Sequence, residues 1–89
     1  MKTLKDLQKE KEKNLHLVGK RFKKKGGKII RIITELLIRP QQEDTIEMNS
    51  IEDSFDPKKD NYVHVVFMMG MYRIKIKLED FYNKYEILK

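Results

Sequence analysis

The residues of this chain best suited to chemistry are its cations. Lys20, Arg21, Lys23, Lys24, Lys25 and Lys28 crowd around Gly26-Gly27, and Arg73, Lys75 and Lys77 recur at alternate positions further on. Clustered ammonium and guanidinium groups build a local positive potential that attracts polyanions, and each phosphate they neutralise releases condensed counterions. These nine side chains form the candidate nucleic-acid-binding set. The glycine turn adds to them, because backbone N–H groups exposed in a turn can face a phosphate. Phe22 and Tyr72 lie near the cations but on apolar faces, so both are expected in the core instead of serving as stacking platforms for bases.

Catalysis has less to draw on. His16 falls at a helix-to-strand junction and His64 inside an apolar strand, where structural histidines outnumber general bases. Ser50 and Ser54 have no partner pattern that would activate a nucleophile. Asp53, Asp56 and Asp60 lack the alternate-residue spacing and closing glutamate of a calcium loop, and Pro57 interrupts them. With no cysteine, disulfides, thiolate zinc sites and cysteine nucleophiles are excluded. Gly26-Gly27 precedes an apolar strand and opens no helix, so it is not a nucleotide-binding glycine loop. The expectation is a binding protein, with no enzymatic activity, cofactor or metal.

The elements that must hold the cations follow from periodicity. Thr3 and Asp6 have capping-box spacing, and Leu4 and Leu7 repeat at a helical interval, which predicts a basic helix over 3–14. Its apolar stripe is thin: Lys11 stands where a third leucine would continue it, so docking is expected through Leu4, Leu7 and Leu15, and the helix is expected to be frayed or mobile. From Leu15 to Lys24 the period drops to two, predicting a strand with Val18 and Phe22 on one face. Gly26-Gly27 then turns the chain into a second, β-branched arm from Lys28 to Ile38, whose i, i+3, i+4 pattern also fits a helix. Arg39-Pro40 is expected to stop that arm.

Residues 40–60 carry seven acids against two lysines and read as a long acidic loop, with a short strand at Thr45 to Ser50. Asn61 to Met68 is apolar on both faces, as a central strand is. Gly70 turns the chain, with Met68 expected in the core and Met69 at an exposed tip. Tyr72, Ile74, Ile76 and Leu78 alternate with basic residues, giving one core face and one charged face. Glu79 and Asp80 open a short helical turn that offers Phe81, Tyr82 and Tyr85, and Glu86 to Leu88 adds a closing strand. The fold class expected is α+β: an N-terminal basic helix (1–14), then at 15–89 a four- to five-stranded antiparallel sheet, strongly bent or closed into a small β-barrel, with an open sheet under the helix as the alternative.

Eighty-nine residues suffice for one domain. The formal charge of +6 is unevenly spread, because residues 2–31 hold twelve Lys/Arg against three Asp/Glu while residues 32–89 hold eight against eleven. Sixteen lysines, ten isoleucines and no alanine also fit the codon bias of an AT-rich genome, which would place lysine on any solvated face. No apolar run reaches signal-peptide or membrane-span length, so a cytoplasmic protein without membrane contact is expected.

The segment GKRFKKKGGKIIRI, residues 19–32, resembles the KOW pattern of small barrels in ribosomal and transcription-elongation proteins, with Lys24 standing where that pattern has a glycine. The resemblance covers fourteen residues and implies RNA contact by a basic strand, a glycine turn and an apolar strand. Together these readings lead to a non-enzymatic nucleic-acid-binding accessory domain, taking DNA or RNA with little sequence specificity. The alternative is a protein-interaction module, such as a small phage or mobile-element inhibitor or adaptor acting on a host nucleic-acid enzyme. In either case the acidic stretch could pair with the basic end of a second copy in a homodimer.

Overall fold

The computed structural model describes residues 2–40 and 53–89. The helix α1 (Leu4–Asn14) begins where the spacing placed it: Thr3 Oγ1 accepts the Asp6 N–H at 3.2 Å, and the Asp6 carboxylate accepts the Thr3 N–H at 3.3 Å. This reciprocal pair satisfies two of the donors that a helix N-terminus leaves open. The bond to the Thr3 backbone N–H is also the main reason the Asp6 carboxyl lies below its ordinary value. Docking differs from the expectation. Leu7 is fully buried, whereas Leu4 and Leu15 are exposed, and the second anchor is Leu17. The chain leaves α1 through a 3-10 turn, Leu15–Leu17, whose tighter winding rotates Leu17 inward and Leu15 outward.

That turn also corrects the first strand, which is not Leu15 to Lys24 but only β1 (Arg21–Lys24). Gly19 sits at φ 86, a left-handed conformation open to glycine, and breaks the side-chain alternation. Val18 therefore faces solvent while Phe22 is 1% exposed. The second arm is a strand, β2 (Ile30–Pro40), and it runs two residues past the expected stop. Its helix-like spacing has a local cause. The register shifts between Ile33 and Glu35, so Thr34 is an extra residue, and the core side chains become Ile33, Leu36 and Ile38.

β3 (Asn61–Met69), β4 (Tyr72–Lys77), a short helix α2 (Leu78–Lys84) and β5 (Tyr85–Ile87) complete the order. All ladders are antiparallel, and the sheet order is β4-β3-β2-β1-β5. The fold is α+β with an open sheet: no ladder joins β4 to β5, so the barrel alternative is not what the strands form. The strand expected at Thr45 to Ser50, with most of the acidic loop, lies outside the described residues.

One sheet face holds the core. Phe22, Phe67 and Phe81 meet edge to face, with Phe22 4.9 Å from Phe67 and 5.1 Å from Phe81, and Tyr85 stacks on Phe81 at 5.2 Å. Each buried phenylalanine contributes roughly 1.5–3 kcal/mol of transfer free energy, so this cluster is a large share of what holds so small a domain. α1 and α2 close over it, and the Tyr82 hydroxyl donates to Asn14 Oδ1 at 3.0 Å, tying the helices together.

Two aspartates that fit no calcium loop, Asp53 and Asp56, have structural work. Asp53 Oδ1 accepts the Ile38 N–H at 2.9 Å and its carboxylate pairs with Lys11 at 3.0 Å. Asp56 Oδ1 accepts the Lys58 N–H, and Asn61 Nδ2 donates to the Asp56 and Lys59 carbonyls, which fixes the turn into β3.

Candidate nucleic-acid interface

The chain direction brings both hairpin turns to one end of the sheet. β1 rises into the 24–29 turn and β2 descends; β3 rises again into the Gly70 turn and β4 descends. The 24–29 turn is shaped by glycine. Gly26 has φ 78, and a Cβ at Gly27 would meet both Cβ and O of Lys24 at 3.2 Å. Its backbone, however, offers less to an anion than expected. The Gly27 N–H donates to the Lys24 carbonyl at 2.8 Å and the Lys25 N–H to the Lys84 carbonyl at 3.0 Å, so both are used within the fold.

The side chains divide into two groups. Lys20, Arg21, Lys24, Lys25 and Lys28 are exposed, and among the described residues no carboxylate pairs with Lys24, Lys25 or Lys28. Lys23 is half-buried and lies 3.3 Å from the Glu86 carboxylate on the neighbouring β5. The second group, Arg73, Lys75 and Lys77, is half-buried along β4. Arg73 approaches Glu35 at 4.0 Å, while Lys77 lies 4.7 Å above the Tyr62 ring and 3.8 Å from Asp80. Strand order decides how the groups relate. Arg21, Lys23 and the β4 stripe share the face opposite the core, but β2 and β3 intervene, a separation of about 14 Å at ordinary strand spacing. Of the helix lysines, Lys2 pairs with Glu10 at 2.8 Å and Lys11 with Asp53, while Lys5, Lys9 and Lys13 are exposed.

Two expectations about aromatic and sulfur side chains are corrected. Phe22 is core, as expected, but Tyr72 is 50% exposed, because it opens an edge strand at the end of the sheet beyond the helices. Met68 is exposed as well. Alternation along β3 turns Val63, Val65 and Phe67 to the core and Met68 to the other face, opposite Arg73. Met69 is exposed at the tip as expected.

One cation was absent from the expected set. Arg31 lies opposite Phe22 across the β1–β2 ladder, half-buried at the hairpin end, where its Nη1 donates to the Met68 carbonyl at 3.3 Å. Among the described residues it has no carboxylate partner. The sequence signal was present, since Arg31 interrupts the apolar run from Ile29 to Ile38.

His64 is buried on the face opposite the core, with Nδ1 2.9 Å from the Tyr62 carbonyl, so Nδ1 carries the proton and donates. Burial, the largest influence, pushes its pKa below the ordinary value; the Arg39 and Lys75 charges add to this, and the bonds to the Tyr62 and Leu37 backbone oppose it. Among the described residues no cluster of histidine and carboxylate side chains is arranged to hold a metal ion, and no helix is long and apolar enough to cross a membrane. The chain matches no family model, no curated protein and no solved structure.

Proposed function

We propose that this chain is a non-enzymatic nucleic-acid-binding accessory domain that holds phosphates with the hairpin joining β1 and β2. The observation that carries this reading is the turn itself: Lys24, Lys25 and Lys28 project from a glycine-shaped loop with no carboxylate partner among the described residues. Lys20 and Arg21 extend the cations along the approach to β1. Arg73, Lys75 and Lys77 contribute more to the general potential than to contacts, since they are half-buried two strands away. Phosphate contacts position a partner without reading its sequence, so specificity is low. The reading implies a cytoplasmic site of action.

The test is the affinity of single- and double-stranded oligonucleotides as a function of salt. Three to five phosphate contacts give log K against log salt a slope of about −2 to −4. Lys24→Glu combined with Lys25→Glu should weaken binding to every oligonucleotide and flatten that slope by about two. Wild-type affinity in the double variant would remove the hairpin as the site.

A second reading, a protein-interaction module, is favoured by one specific feature. At the same end of the sheet, Ile29 is 68% and Met71 87% exposed, beside exposed Ile30, Ile32 and Met68. Exposed apolar side chains gathered at one end of a small protein suit a docking surface.

A further inference from the structure

Between the two hairpin ends, on the core side of the sheet, lies a cavity of about 210 Å³. Its floor is the buried pair Phe22 and Phe67, and Tyr85 and Met69 form its apolar walls. Three cations also line it: Lys24, Lys28 and Arg31. Among the described residues no carboxylate does so. Arg31 is the informative member. A guanidinium has five N–H donors, and here one of them makes a single long bond to a backbone carbonyl while the group stands half-buried in an apolar lining. Its other donors stay open to solvent at the cavity mouth, where an anion can take them.

We propose that this cavity seats one unpaired nucleobase of a single strand, with the adjoining phosphate held by Arg31 and Lys28. The inference rests on the nucleic-acid reading above and narrows it to single-stranded partners. Size and charge choose the occupant. Sites for drug-sized ligands run to roughly 300–1,000 Å³, so this one takes a single ring system. An apolar slot whose charged lining residues are all cationic calls for a flat, weakly polar group carrying a negative charge at one side, which describes a base joined to its phosphate. Bases in a duplex are stacked and paired, and cannot enter without being extruded. Tyr85 cannot offer both ring faces, because Phe81 stacks on one, so the base is gripped by its edges and one face against the apolar wall.

The experiment compares a short labelled oligothymidylate with an abasic strand of the same length, which has the phosphates but no bases, at near-physiological salt. The wild-type protein should bind the thymidylate about tenfold more tightly, the scale of one base sequestered from water on an apolar surface. Ile29→Trp and Met69→Trp, both at exposed positions, each put a bulky ring over or into the cavity. Each should bring the affinity ratio close to one while leaving the abasic strand bound as before. Methionine methyl resonances provide a readout that does not depend on a variant, since the Met69 signal should shift with thymidylate and stay in place with the abasic strand. Equal affinity of the wild-type protein for both strands would overturn the cavity and leave the phosphate-binding hairpin standing. A Met69 signal that stays in place with thymidylate would also overturn it, because the bases would then bind elsewhere. If neither strand binds, the nucleic-acid reading falls and takes this inference with it.

Discussion

His64 and Arg31 show how one position in the sheet changes what a side chain can do. His64 stands inside a strand that is apolar on both faces, and the fold buries it among backbone carbonyls, Arg39 and Lys75. Its folded pKa lies below the unfolded value of about 6.5, so the unfolded chain binds the proton more readily. Stability from this group is therefore complete above about pH 6.5 and declines as pH falls from there toward the lower folded pKa. Denaturation midpoints measured across that window should fall with acid in the wild type and fall less in His64→Gln; parallel curves would assign the acid limb to other groups. Arg31 was visible as an interruption of an apolar run, but nothing in its neighbours in sequence indicated a cavity. Phe22, Phe67 and Tyr85, which give it that setting, come from three different strands or strand ends.

Local sequence rules held best for the elements. The capping box at Thr3 and Asp6, the glycine turns, the central strand and the alternating β4 all follow from interactions between residues close in the chain. The turn at Gly26 is the sharpest case, because its φ of 78 is a conformation that an L side chain adopts at a cost of about 1–2 kcal/mol. Gly26→Ala should lower the melting temperature by roughly 4–8 °C per kcal/mol lost in a domain this small. An unchanged melting temperature would mean that the turn relaxes to another conformation. Local rules failed where the chain departs from a regular period. The bulge at Thr34 made a strand look partly helical, and Gly19 with the 3-10 turn shortened β1, because one added or rotated residue shifts every later side chain to the other face. The edges are also instructive. β4 carries Arg73, Lys75 and Lys77 along an open edge, and charges there discourage pairing with a second chain.

For the whole molecule, the two hairpin ends are the surface on which both proposed functions rest, because exposed cations and exposed apolar side chains gather at that end of the sheet. A phosphate-binding domain and a protein-docking module use that surface differently. Ile30→Asp with Met71→Asp, neither of which lines the cavity, should abolish capture of a protein partner in a pull-down while leaving the fold intact by circular dichroism; for nucleic acid the same pair should cost little more than the added negative charge. Retained capture would discard the docking reading. Composition, the absence of cysteine, the charge imbalance and the order of most elements were fixed by the residues alone, since each depends on side-chain type or on neighbours a few positions apart. Tertiary structure decided that the sheet stays open, that the β4 stripe stands two strands from the first hairpin, that Met68 and Tyr72 reach solvent, and that Arg31 lines a cavity with Lys24 and Lys28. These depend on which strands become neighbours, a choice made by pairing between segments distant in sequence, and periodicity along one strand has no information about what lies across the sheet.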